Sequence, residues 1–208
     1  MMVEEIIRIK YGETTIPESW IFSGGNEKTQ VPIILSFFLI IADNKKILVD
    51  TGSDTMEGFK LENFIKPLDA LKNNGFSPED ITDVIITHAH HDHIGCVGNY
   101  KNAKIYIQSK EYNSGKEYLE NCKNVVVFEE EFTVCAGVKI IKIGGHAEGS
   151  SVVEIEKDGE IFVVAGDECY NEYNLKNKIP TASSCNRENS LKFVEKYSAE
   201  KYNVLLIH

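Results

Sequence analysis

Thr87-His88-Ala89-His90-His91-Asp92-His93-Ile94-Gly95 decides how this chain is read. Four of the chain's 6 histidines lie between His88 and His93. Imidazole and carboxylate are the ordinary ligands of zinc and its neighbours. His88 and His90 are two apart, so in an extended segment they point to the same side and can share one ion. Asp92 and His93 come later in the turn and can reach a second position. The cluster follows Asp83 to Thr87, which reads as a short buried strand. Loops at strand ends can converge while the sheet beneath stays rigid. The bland alternatives are a surface histidine run or a purification tag, and a tag would lie at a terminus and not between a buried strand and Ile94-Gly95.

The flanking sequence supplies strands on both sides. Val3 to Lys10 reads as a strand, and Ile33 to Ala42 as a stronger one, apolar enough to be buried on both faces. Asp43-Asn44-Lys45-Lys46 reads as a hairpin turn, with Lys46 to Val49 as the return strand. Leu61, Phe64, Ile65, Leu68 and Leu71 have helical spacing, which predicts a helix from Leu61 to Asn73 that stops near Gly75. Further strands are expected over 104–107, 125–128, 132–134, 138–143, 151–155, 161–165 and 202–207, and helices over 110–119 and 188–197. No low-complexity linker or solenoid repeat interrupts the chain. The order fits strands packed between outer helices in one domain, residues 1–208.

The 208 residues carry a net charge of −10, and 42% of them are hydrophobic. Phosphates are held by Lys and Arg, so this balance argues against nucleic acid or an anionic membrane as partner. The 5 cysteines, Cys96, Cys122, Cys135, Cys169 and Cys185, form no C-x-x-C pair, and their odd number fits a disulfide framework poorly. Reduced thiols in a cytosol are the simple reading. The N-terminus has acid where a signal peptide places base, and no apolar h-region follows. The most apolar run is too short to span a bilayer. A cytoplasmic location is therefore expected. The exposed apolar stretch at Trp20-Ile21-Phe22 suits either a dimer contact or a substrate entrance, and monomer and homodimer both stay open.

The pattern H-x-H-x-D-H closely resembles the hallmark of the metallo-β-lactamase fold superfamily. Four more segments carry the resemblance in the family's order: Ile47-Leu-Val-Asp-Thr-Gly52, Gly145-His146-Ala-Glu-Gly-Ser150, Val164-Ala-Gly-Asp167 and Leu205-Leu-Ile-His208. The resemblance implies an α+β fold, the four-layer αββα sandwich. Carried over to this chain, it implies His88, His90 and His146 on a first metal and Asp92, His93 and His208 on a second. Asp167 would bridge the two, with a water or hydroxide as the other bridge. Asp50 would orient a ligand histidine through its far ring nitrogen. Asp-Thr-Gly at 50–52 is also an aspartic-protease triplet, but such a site needs two facing carboxylates, and the sequence holds one triplet. The family often has Gly-Gly after the cluster; here Gly95 is followed by Cys96, either a soft ligand or a small buried residue.

Two divalent ions, zinc first with manganese, iron or cobalt admitted, can share a hydroxide that is nucleophilic at neutral pH. That points to hydrolysis of a small ester, lactone or thioester, with a small molecule as substrate. Asp92 and Tyr170 are the expected catalytic side chains. A tyrosine three residues after Asp167 resembles the acyl-homoserine lactone lactonase branch, where it can hydrogen-bond the substrate carbonyl or protonate the leaving alkoxide. Tyr173 is its neighbouring rival. The stretch between Gly52 and the histidine strand is shorter than in those lactonases. The alternative is a mononuclear iron oxidoreductase acting on a thiol or persulfide through His88, His146 and Asp167. A nuclease is disfavoured by charge. A non-catalytic module is disfavoured by a ligand set with room for water, since structural zinc sites are closed and sulfur-rich.

Overall fold

The computed structural model describes residues 3–208. Two sheets face each other. The first has six strands in sequential order, β1 (Val3–Pro17), β2 (Gln30–Ala42), β3 (Lys45–Val49), β4 (Asp83–Ile86), β5 (Lys104–Gln108) and β6 (Val125–Phe128). β1, β2 and β3 are antiparallel neighbours, whereas β3 to β6 run parallel. The second sheet takes β7 (Glu131–Cys135), β8 (Val138–Lys142), β9 (Ser151–Lys157), β10 (Glu160–Val164) and β11 (Tyr202–Leu205) in reverse order, with β10 and β11 parallel. The helices are α1 (Glu18–Ile21), α2 (Pro67–Asn73), α3 (His91–Ile94), α4 (Ser109–Ser114), α5 (Lys116–Leu119), α6 (Glu172–Asn177) and α7 (Arg187–Tyr197).

Strand periodicity sorts the apolar residues into layers. On β3, Ile47 and Val49 enter the core between the sheets, while Leu48 joins the core under α2 and α3. On β4, Ile85 faces inward and Val84 and Ile86 outward. β2 divides in the same way, with Phe38, Ile40 and Ala42 between the sheets and Leu35, Phe37 and Leu39 beyond. On β9, Val153 and Ile155 face the first sheet, and Val152 packs with Phe193, Val194 and Tyr197 of α7. This is the expected αββα arrangement, and it explains why the central strands read as continuous apolar runs. Ile85→Val, which removes one methylene from the fully buried inter-sheet core, costs about 1 kcal/mol, read as a lower urea midpoint with unchanged slope.

Local departures have local causes. β1 extends to Pro17 because it pairs with β2 along its whole length, and a bulge between Lys10 and Gly12 breaks the two-residue alternation that the sequence displays. The helix expected over 61–73 forms only as α2. Lys66, preceding Pro67, is extended at φ −62°, ψ 141°, as the residue before a proline prefers. Upstream, Glu62 and Glu13 exchange backbone hydrogen bonds, and Ile65 donates to Tyr11 O at 2.9 Å. Leu61 and Phe64 still pack on the core outside α2, so their spacing reported burial and not helix. The helix expected over 110–119 is broken at Gly115, where a Cβ would lie 2.9 Å from Ile94 Cδ1. Among the described residues no helix is long and apolar enough to cross a membrane.

Candidate metal centre

The parallel segments β3, β4, β10 and β11 all end at one edge of the sandwich. Their C-terminal ends deliver Asp50, His88, Asp167 and His208, and the β8–β9 connection brings His146 to the same place. Ligand atoms of His88, His90, His146 and Asp167 lie within 4.8 Å of one another, and so do those of Asp92, His93 and His208. All are buried except His90 and the half-buried Asp92.

Hydrogen bonds on the far side of each ring fix the tautomers. The carbonyl oxygens of Ser183 and Ile34 can only accept, so they take protons from Nδ1 of His146 and His208. His93 donates from Nδ1 to Asp50 Oδ2 at 2.8 Å. Thr87 Oγ1 gives its proton to Asp50 Oδ2 and so accepts from His88 Nδ1. All four rings therefore aim an Nε2 lone pair inward. His90 is turned over and contributes Nδ1, at 3.0 Å from His88 Nε2 and 2.9 Å from His146 Nε2. His93 Nε2 and His208 Nε2 face each other at 3.2 Å.

Asp167 stands between the two groups. Its Oδ1 is 3.1 Å from Nε2 of both His93 and His208, and its Oδ2 is 3.8 Å from His88 Nε2 and 3.6 Å from His146 Nε2. Oδ1 is buried with no hydrogen-bond partner. Lone pairs converging on an unsatisfied buried oxygen repel unless a cation lies among them, so the donor set fits divalent ions in chemistry and in placement. In the protein alone a proton fills part of this role. Burial opposes charging of His93, but Asp167, Asp92 and Asp50 outweigh it and raise its pKa well above the ordinary value. His208 is raised in the same way, burial again opposed chiefly by Asp167. Burial and neighbouring histidines, His93 first among them, hold His88 well below.

A sign for pH follows. A raised histidine stabilises the metal-free fold below its unfolded pKa, and that gain is lost as pH rises through the raised value. A cation competes with the same protons. Metal uptake by the metal-free chain should therefore release protons, and its affinity should fall as pH drops through the raised values of His93 and His208, already above the ordinary histidine value of about 6.5. Metal titration with a pH-indicator dye checks both.

Tyr170 is buried beside the centre. Its hydroxyl donates to Asp167 Oδ2 at 2.9 Å, and its ring stacks on His208 with centroids 5.7 Å apart. Tyr173 is 57% exposed and packs on Phe22 instead. Cys96 belongs to neither ligand group; its thiol lies 3.7 Å from Asp54 and is pushed up to about 12, first by burial. Cys169 packs under α7. His91, inside the motif, turns outward to Ser53 and Tyr118. Trp20 packs on Phe59, and Phe59 with Met56, His91 and Asp92 lines a cleft of about 340 Å³ at the centre's edge.

Two buried acids escaped sequence reading. Glu168 accepts from the backbone N–H groups of Gly145 and His146 and from Ser150 Oγ, holding the third-histidine loop from below. A Cβ at Gly145 would lie 2.3 Å from Glu168 Oε2, so glycine is required there. Glu111 reaches the other end of that loop. Neither has a local signature: one follows Asp167, and the other lies within the helix expected over 110–119.

The fold and the converging imidazoles define an α+β sandwich with side chains suited to binding metal. The profile of the metallo-beta-lactamase superfamily matches residues 33–207, and the chain belongs to that superfamily. It is a metal-dependent hydrolase of the lactonase-like kind. An N-acyl homoserine lactonase from Bacillus cereus is 31% identical over 170 residues, covering 70% of this chain and 68% of the relative. The N-acyl homoserine lactonase AiiA of Bacillus thuringiensis subsp. kurstaki is 26% identical over 207 residues, 88% of this chain and 82% of that one. Among solved structures, an N-acyl homoserine lactone hydrolase with N-hexanoyl-L-homoserine at its catalytic metal centre superposes with a TM-score of 0.85 at 22% identity, covering 99% of this chain and 93% of that chain.

Proposed function

We propose that this chain is a dinuclear hydrolase that opens a lactone or cleaves a small ester or thioester. The observation that carries the reading is Asp167, which turns one oxygen to each histidine group, Oδ1 to His93 and His208 and Oδ2 to His88 and His146. His88, His90 and His146 would hold one ion, Asp92, His93 and His208 the other, and Asp167 both. The complete second group favours this over the mononuclear oxidoreductase. The lactone preference rests on the curated lactonase relatives. When bound, two such ions supply a hydroxide nucleophile at neutral pH and polarise the substrate carbonyl.

The chain's own residues then orient and protonate. Burial and Asp167 hold the Tyr170 phenol well above its ordinary pKa, so it stays protonated and can donate. Turning from Asp167 to the substrate, it can stabilise the carbonyl oxygen or deliver its proton to the leaving alkoxide. Asp92, on the wall of the cleft, borders the substrate's approach. Tyr170→Phe should keep both ions and lower turnover by about 10²-fold, with KM little changed. An unchanged turnover removes the phenol from the mechanism.

Metal analysis of the purified protein by plasma mass spectrometry, paired with lactone ring-opening assays before and after chelation, tests the whole reading. About two divalent ions per chain and chelator-sensitive lactone hydrolysis are expected. A single iron with oxygen consumption on a thiol would overturn it.

A further inference from the structure

Glu111 is 3% exposed and has no part in the ligand groups. Its two oxygens go to two different loops. Oε2 accepts from the backbone N–H of Ala89, between His88 and His90, and Oε1 from that of Gly149, three residues after His146, each at 2.8 Å. The first loop follows β4 of one sheet, and the second joins β8 to β9 of the other. One side chain thus ties the two sheets together at the edge where their histidines meet.

The contacts around it leave little slack. Gln108 caps α4 through Lys110 N at 2.6 Å and anchors to Glu129 O at 3.0 Å, fixing where Glu111 starts. A Cβ on Gly149 would fall 2.1 Å from Gln108 Oε1 and 3.0 Å from Glu111 Cγ, and one on Gly115 would fall 3.1 Å from Ala89 Cβ. Both loops are pressed against α4. Across them, His90 Nδ1 sits almost equally far from His88 Nε2 and His146 Nε2, a spacing that depends on how the two loops are held. The other group is anchored elsewhere: His93 by Asp50 and by Thr51, which bonds His93 O, and His208 by Ile34 O.

We propose that Glu111 is a positioning residue that aligns His88 and His90 with His146, and so sets the affinity of one ion position without touching the other. The inference rests on the dinuclear reading above. Glu111→Gln keeps the shape but turns an amide N–H₂ toward a backbone N–H, breaking one of the two anchors.

Titration of the metal-free protein with cobalt(II), followed by visible absorption and chelator competition, resolves the two positions. Wild type should bind two ions. In Glu111→Gln one dissociation constant should weaken by on the order of 10–100-fold and the other stay unchanged. Equal weakening of both, or of neither, overturns the inference while leaving the dinuclear reading intact. A wild-type protein that takes up no cobalt overturns both. If Glu111→Gln fails to fold by circular dichroism, Glu111→Asp carries the test. It is one methylene short, reaches one loop at most, and should show the same selective loss.

Discussion

Asp167→Ala strips the centre of metal and lowers kcat/KM by about 10³-fold or more, the several kcal/mol that metal-assisted charge stabilisation supplies. The size follows from the place of the side chain. Each of the histidines His88, His90, His146, His93 and His208 belongs to one group, whereas Asp167 turns an oxygen to both. It also orients the Tyr170 phenol. Its carboxyl is held well below the usual carboxylate range: burial opposes this, but His93 and His208 outweigh it. Alanine removes that partner, so His93 and His208 lose the charge that favours their protonation. The variant should still fold, because the sheets and their three cores do not pass through this residue. Metal analysis and steady-state assays on the same preparation check the result. A variant that keeps two ions and its activity would falsify the bridging role.

Asp50→Ala should damage stability and metal binding together. The buried carboxyl accepts three hydrogen bonds, from Thr87 N at 2.8 Å, Thr87 Oγ1 at 2.7 Å and His93 Nδ1 at 2.8 Å. Alanine leaves three donors unpaired, at about 1–3 kcal/mol each. Asp50 also sits at φ 63°, a left-handed conformation that Asp tolerates and Ala does not. A loss of several kcal/mol is a large share of the roughly 5–15 kcal/mol that holds a domain together, so the midpoint of chemical unfolding should fall steeply. Asp50→Asn separates the two effects. It suits the same backbone and keeps the shape, but its amide N–H₂ faces a donor. It should fold, and bind the ion at His93 about 10–100-fold more weakly. An Asn variant with wild-type metal affinity would detach Asp50 from the centre.

The legible part of this protein was its periodic part. Ile33 to Ala42 alternates between two cores, and the H-x-H-x-D-H run follows a buried strand, so strand positions and the histidine cluster could be read locally. The helix expected over 61–73 forms only from Pro67 because burial of Leu61 and Phe64 mimics helical spacing, while Pro67 and pairing with β1 decide the backbone upstream. Tyr170 could be ranked above Tyr173 only by family likeness until packing separated them, one stacked on His208 and the other exposed.

By itself the sequence determined which chemistry is present: imidazoles and carboxylates at strand ends, five cysteines without a C-x-x-C pair, and a net charge of −10. Those are properties of residue types and short spacings. Only the tertiary structure decided which nitrogen each histidine presents, that Asp167 turns an oxygen to each group, and that Glu111 and Glu168 hold the loops from below. These depend on hydrogen bonds between segments far apart in the chain, from Ile34 to His208 and from Ala89 through Glu111 to Gly149. No local pattern encodes such pairs, because folding creates them by bringing the ends of two sheets to one edge.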